Sequence, residues 1–198
     1  YNWHWMWDYG TGDMGNDGVH QVDVARWGLG ATAPTAITCS GGKLFFDDDQ
    51  ETPDTQLVTA EYPGQHLIFE QRIWAPYHEN GYENGNVFYC EKGYMLLGSD
   101  GWKVFGPKNE PGPTSGPSER DRTHLVNFLD CVKTRKKPNA PVEDGHYSAM
   151  VCHLGNIAYR TGRRLQFDPK SETITGDKEA SALLTRKYRK PWVVPEKL

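Results

Sequence analysis

The feature that most constrains this chain is a series of short β-forming segments joined by tight turns across residues 56–105. Segments 56–62 and 66–74 flank Pro63-Gly64-Gln65, turn chemistry that predicts a hairpin. Segments 87–90, 94–97 and 102–105 follow, separated by Glu91-Lys92-Gly93 and Ser99-Asp100-Gly101. Parallel neighbours need a long crossover, which connections this tight do not provide. The run therefore predicts an antiparallel meander.

Helical periodicity lies on either side. Residues 123–134 carry Leu125, Phe128, Leu129 and Val132 on one face, and residues 145–161 carry Met150, Leu154, Ile157 and Ala158 before Gly162 stops them. Pro34 introduces a strand over 35–40, ended by Gly41-Gly42. The acidic stretch 47–54 reads as a loop with solvated carboxylates, and the Pro/Gly-rich stretch 107–118 as a surface loop or lid. From Lys178 the tail holds one more short helix and a Pro-Trp-Val-Val-Pro segment. Helix, strands, helices is the order of an α+β domain with helices packed on one face of an antiparallel sheet. At 198 residues the chain predicts a single such domain, 1–198.

Charge and composition exclude some functions. The net charge is −4, and the basic runs Arg135-Lys136-Lys137 and 186–190 lack the interleaved aromatics of a nucleic-acid face. No apolar run approaches the ~20 residues that span a bilayer. Cys39, Cys90, Cys131 and Cys152 have no CxxC or zinc-like spacing and read as ordinary buried thiols. The opening Tyr-Asn-Trp-His is not a signal peptide and carries no initiator Met, so the chain reads as one entered midway.

The chemistry concentrates in residues 2–30. Trp3, Trp5, Trp7 and Tyr9 alternate with polar residues, which predicts an extended segment, and a Gly-rich turn over 10–15 leads into a helix running to about Leu29. Asn16, His20, Asp23 and Trp27 recur at helical spacing on one face, and Val19, Val22, Arg26 and Leu29 form an apolar stripe with one cationic stem. An amide, an imidazole and a carboxylate on one face make an acid–base platform, because histidine carries protons near neutral pH and a carboxylate fixes its tautomer.

Gly10-Thr-Gly12-Asp-Met-Gly15 satisfies the dinucleotide pattern G-x-G-x-x-G. Three features oppose that reading. The preceding segment is not the aliphatic run of a buried parallel strand, no acid ends the next strand to meet a ribose, and Asp13 sits inside the loop. His20 and Asp23 could share a metal with Asp13 or His4, but no metal site is predicted; His146 and His153 are too far apart to chelate.

These residues carry a resemblance. WHWMWDYGTGDMGNDGVHQVDVARWGLG resembles the start of the C-terminal domain of the glucose–fructose oxidoreductase/inositol dehydrogenase (Gfo/Idh/MocA) family, and most of all its branch abundant in Planctomycetes. GGKLFFDDDQETPDT, HLVNFLDCVKTRKKP and HLGNIAYRTGRRLQFD extend the likeness over nearly the whole chain. The resemblance implies a large open-faced antiparallel sheet whose open face makes homo-oligomer contacts. It also implies an N-terminal Rossmann domain outside this chain that binds NAD or NADP and carries the family's catalytic lysine. The implied reaction is hydride transfer between a sugar or polyol carbon and the nicotinamide. The family pattern D-x-x-x-H-x-x-D falls on Asn16, His20 and Asp23. His20 matches the general base and Asp23 a substrate-binding or His-orienting residue, while Trp3, Trp5 and Trp7 would wall the pocket. Asn16 departs from the usual Asp: an amide holds a hydroxyl but does not titrate. Two other readings are NAD-dependent cleavage of a glycoside on the same fold, and a non-catalytic carbohydrate-binding or assembly module.

Overall fold

A computed structural model describes residues 2–116 and 123–195. The expected hairpin comprises β2 (Thr55–Tyr62) and β3 (Gln65–Arg72), which pair antiparallel around Pro63-Gly64. They join β1 (Ala36–Gly42), β8 (Leu165–Asp168) and β9 (Thr173–Thr175) in a five-stranded sheet of order β3-β2-β1-β8-β9. The next segments form β4 (Asn86–Cys90), β5 (Gly93–Gly98) and β6 (Gly101–Phe105), as their turns predict. With β7 (Pro111–Thr114) they make a second antiparallel sheet, so the meander is divided between two sheets.

The helices are α1 (Gly12–Asn16), α2 (Gly18–Leu29), α3 (Thr123–Thr134), α4 (Val142–Thr161) and α5 (Lys178–Ala182). Strand β2 explains the main layer: Gln56, Val58, Ala60 and Tyr62 are buried, while Leu57, Thr59 and Glu61 alternate to the other side. The buried side meets α4 through Met150, Val151, Leu154, Ile157 and Ala158, with Met14 of α1 and Val22 of α2 completing the core. Gly155 is the point of closest approach, since a Cβ there would stand 3.1 Å from Val58 and 3.5 Å from Met14. On the opposite side of this sheet Leu57 and Ile68 are exposed, so among the described residues that side is open. The result is the expected α+β architecture with helices on one face. The second sheet leans on α2, where the Phe88 ring occupies the space beside Gly28 and Asn86 Nδ2 donates to the Gln21 carbonyl at 3.1 Å.

Several expectations need correcting. Asn2–Trp5 is a 3-10 turn rather than a strand. Local bonds satisfy its backbone, Met6 N–H to Trp3 O and both Tyr9 and Gly10 N–H to Met6 O, so the alternating aromatics report separate contacts and no sheet ladder. In the acidic loop Asp54 is fully buried, not solvated. The stretch after residue 106 is not a plain loop: β7 pairs with the edge of β6, where its prolines remove no needed donor, and residues 117–118 of that stretch lie outside the described residues. The apolar face of α3 forms as read but stays uncovered, with Leu125 60% and Phe128 56% exposed. Cys152 is buried, but Cys90 is exposed and Cys39 and Cys131 are half-buried. No described helix is long and apolar enough to cross a membrane.

Candidate active site

The polar face read from the sequence is carried by two helices. Gly15 and Gly18 are poor helix formers, and the chain breaks step at Asp17, between α1 and α2. Asp17 keeps right-handed helical angles (φ −91°, ψ −39°), so Asn16 and His20 stand on successive turns either side of a joint. Glycine is needed at 18 because the Phe69 ring of β3 lies 2.7 Å from where its Cβ would be. His20 is exposed and makes no side-chain hydrogen bond among the described residues. Its imidazole is open to a solute.

Asp23 lies three residues along the same helix, and α4 engages its carboxylate. Ser148 Oγ donates to Oδ1 at 2.6 Å, and Arg26 Nη1 stands 4.0 Å from that oxygen. Asn16 is exposed, and its side-chain amide favours the charged form of Asp13. Burial, with the Asp17 carboxylate nearby, pushes Asp13 above the ordinary carboxylate range, against the opposing pull of Asn16 and of His4. Asp13 and the buried His4 thus belong to the electrostatics of this region, although neither lies on the helical stripe. Ser148 gave no signal in sequence beyond being a small polar residue on a buried helix face.

The tryptophans do different work from one another. Trp3 is 59% exposed. The Trp5 carbonyl accepts from Glu51 and Thr52 N–H. Trp7 packs near Tyr159 of α4 (6.4 Å between centroids) beneath the Arg160 guanidinium (5.1 Å). None of them makes a hydrogen bond or ring contact to Asn16, His20 or Asp23 among the described residues. On the other flank of His20, Gln21 and Val24 wall a cleft of about 360 Å³ closed by Asn86, Leu97, Gly98 and Ser99. Val24 is one helical turn from His20, but His20 itself does not line this uncharged cleft.

The glycine-rich turn does not cradle a phosphate. A Cβ on Gly10 would stand 2.4 Å from the His4 Cα, and one on Gly12 (φ +64°) 2.7 Å from the Thr52 side chain. The turn is glycine-rich because chain packs on it from within. Among the described residues no three His, Cys, Asp or Glu side chains converge to hold a metal ion.

Residues 1–96 match the model of the GFO/IDH/MocA C-terminal domain, and residues 115–194 match that of the oxidoreductase family C-terminal alpha/beta domain. The chain belongs to the GFO/IDH/MocA family. Among solved structures, the fold of this GFO/IDH/MocA chain is similar to that of the WlbA dehydrogenase from Bordetella pertussis in complex with NADH and UDP-GlcNAcA (TM-score 0.57, 14% identity, 85% of this chain and 49% of that one). It is similar to an oxidoreductase from Agrobacterium radiobacter in complex with NAD+, L-tartaric acid and magnesium (0.58, 14%, 75% and 47%). It is also similar to aldose-aldose oxidoreductase from Caulobacter crescentus complexed with glycerol (0.52, 18%, 76% and 46%). The chain spans about half the length of these structures. A sequence comparison with curated proteins finds no match.

Proposed function

We propose that this GFO/IDH/MocA chain is the substrate-binding and proton-transfer half of an NAD(P)-dependent oxidoreductase acting on a sugar or polyol hydroxyl. The observation that carries the reading is His20, open to solvent on a helix whose other face is locked into the core, with the Asp23 carboxylate fixed one turn away. In this reading His20 removes the proton of the hydroxyl being oxidised, the outer oxygen of Asp23 accepts a neighbouring hydroxyl, and Asn16 holds another without titrating. Trp3 offers its exposed ring to the sugar face, while Trp5 and Trp7 shape the same edge from behind. The NADH with UDP-GlcNAcA, the NAD+ with L-tartaric acid and the glycerol of the similar structures support a nicotinamide reaction on a hydroxylated substrate.

The glycine-rich turn does not fit a dinucleotide's phosphates, because it is filled by His4 and Thr52. The reading therefore assigns NAD or NADP to an N-terminal nucleotide-binding domain outside this chain, and assembly of copies to the open sheet face. The test follows nucleotide reduction by the full-length protein over a panel of neutral sugars and polyols. His20→Ala should lower kcat by about 10²–10⁴, the usual contribution of a placed acid–base group. The melting temperature should stay unchanged, since the side chain is exposed. Absence of nucleotide reduction across the panel, or near wild-type turnover in His20→Ala, overturns it.

A further inference from the structure

We propose that Ser148 and Arg26 are positioning residues for Asp23: a buried cation acting through one hydroxyl sets which carboxylate oxygen faces the substrate. The inference rests on the reading of Asp23 as a hydroxyl-binding group.

Arg26 is 4% exposed, and its guanidinium is surrounded by neutral acceptors. Nε donates to the Thr32 carbonyl (3.1 Å) and Nη2 to the Ala31 carbonyl (2.9 Å). Nη1 donates to the Asp144 carbonyl (3.1 Å) and to Ser148 Oγ (2.7 Å). The Tyr147 ring lies 5.3 Å away. Carbonyl dipoles satisfy the N–H groups but do not neutralise a buried charge, and burial without a counter-charge is costly. The one carboxylate that Arg26 reaches among the described residues is Asp23, at 4.0 Å.

Ser148 bridges that gap and is itself 1% exposed. Its oxygen accepts from Arg26, leaving a single proton to give. The two candidates are Asp23 Oδ1 at 2.6 Å and the Asp144 carbonyl at 3.0 Å. The carboxylate is nearer and charged, and the Asp144 carbonyl already receives Arg26. The order is therefore Arg26 N–H to Ser148 Oγ, then Ser148 O–H to Asp23 Oδ1.

The consequence is a direction. Oδ1 is held toward α4, and Oδ2 has no hydrogen-bond partner among the described residues. The Asp23 side chain is 55% exposed, so an untethered carboxylate there would sample several rotamers and pay to be ordered when a ligand arrives. The buried pair settles the rotamer in advance. It also ties α2, which carries His20, to α4 at the same point.

The test is a double-mutant cycle in the full-length enzyme, using the sugar or polyol of the panel that it turns over fastest. Ser148→Ala should raise KM by about fivefold with kcat within about twofold, and should lower the melting temperature by roughly 5 °C, because the buried Arg26 guanidinium loses an acceptor. Asp23→Asn should raise KM at least as much, and adding Ser148→Ala to it should change KM no further, because the hydroxyl acts through the carboxylate. A purely structural role would lower the melting temperature in the same way but leave an equal effect of Ser148→Ala on KM in both backgrounds. If Asp23→Asn raises KM but Ser148→Ala does not, or if the two effects multiply, the proposal is overturned while the assignment of Asp23 stands. If Asp23→Asn leaves KM unchanged, that assignment is overturned and the proposal with it.

Discussion

The Asn16 amide favours the charged form of the Asp13 carboxyl group, so the position where the family pattern carries an acid is occupied here by a residue that relieves one. Asp13 is already strained by burial and by Asp17. A carboxylate at 16 would add a third negative charge to one short turn of chain. Asparagine keeps a hydrogen-bonding group at the site and removes that repulsion.

Asn16→Asp should therefore destabilise the fold at neutral pH, by roughly 3 °C in melting temperature. The sign of the pH dependence follows from the direction of the Asp13 shift, which is upward. An acid raised in the folded state contributes stability below its unfolded value and loses it as pH rises through the folded one. A new acidic neighbour raises Asp13 further, so the deficit should be largest at pH 7 and should close toward pH 4. Melting curves at both values check this, and equal deficits would contradict it.

Asp54 supplies the opposite sign. Its carboxylate accepts the backbone N–H groups of Leu44 (3.0 Å), Phe45 (2.8 Å) and Phe46 (2.9 Å) and the Thr55 hydroxyl (2.8 Å). Burial pushes the group up, but those donors outweigh it and hold it below the ordinary carboxylate range. The loop it organises closes it off from solvent. Asp54→Asn places an amide donor against backbone donors and should lower the melting temperature by roughly 5 °C at pH 7. For an acid shifted downward the stabilisation exists above the unfolded value and fades as pH falls through the folded one. The difference between variant and wild type should therefore shrink as pH falls below the ordinary aspartate value of about 3.9.

Turn chemistry made the β2–β3 hairpin and β4 to β6 legible, since Pro63-Gly64 and the two Gly-ended turns act over a few residues. The core register of α4 was legible for the same reason, because i, i+3 and i+4 spacing is local. What sequence could not give depends on partners far along the chain. Asp54 looks like its acidic neighbours until the 44–46 backbone folds over it. Ser148 acquires meaning from a carboxylate 125 residues away. Alternating tryptophans imitate a strand because periodicity records side chains, whereas sheet membership needs backbone partners. At the candidate site, His20 and Asp23 were readable from helical spacing, but the joint at Asp17 and the buried Arg26–Ser148 support were not.

The packing of the glycine turn predicts the outcome of a direct nucleotide titration. Calorimetry of this chain with NAD and with NADP should give no binding tighter than about millimolar. A micromolar dissociation constant, worth about −8 kcal/mol, would require a phosphate cradle that Gly10 and Gly12 do not leave room for.

The last prediction concerns the open face of the five-stranded sheet. Ile68 of β3 is 68% exposed there, and Leu57 of β2 is 41% exposed. Register sets Ile68 opposite Thr59 and Leu57 opposite Ser40, so a narrow apolar stripe runs through a hydroxyl-rich surface. Charges on the same face are neutralised in place, Glu61 by Arg164 at 2.8 Å and Glu70 by Arg72. Such a face does not repel a second copy of itself, and a closed symmetric pair would bury the stripe. Light scattering at micromolar concentration should return a mass of two or four chains. Ile68→Lys should reduce that mass by half or more, because it places like charges at the centre of an isologous contact, and should leave the melting temperature of the monomer within about 2 °C. A wild-type monomer at that concentration, or an Ile68→Lys variant of unchanged mass, would remove this face from the assembly.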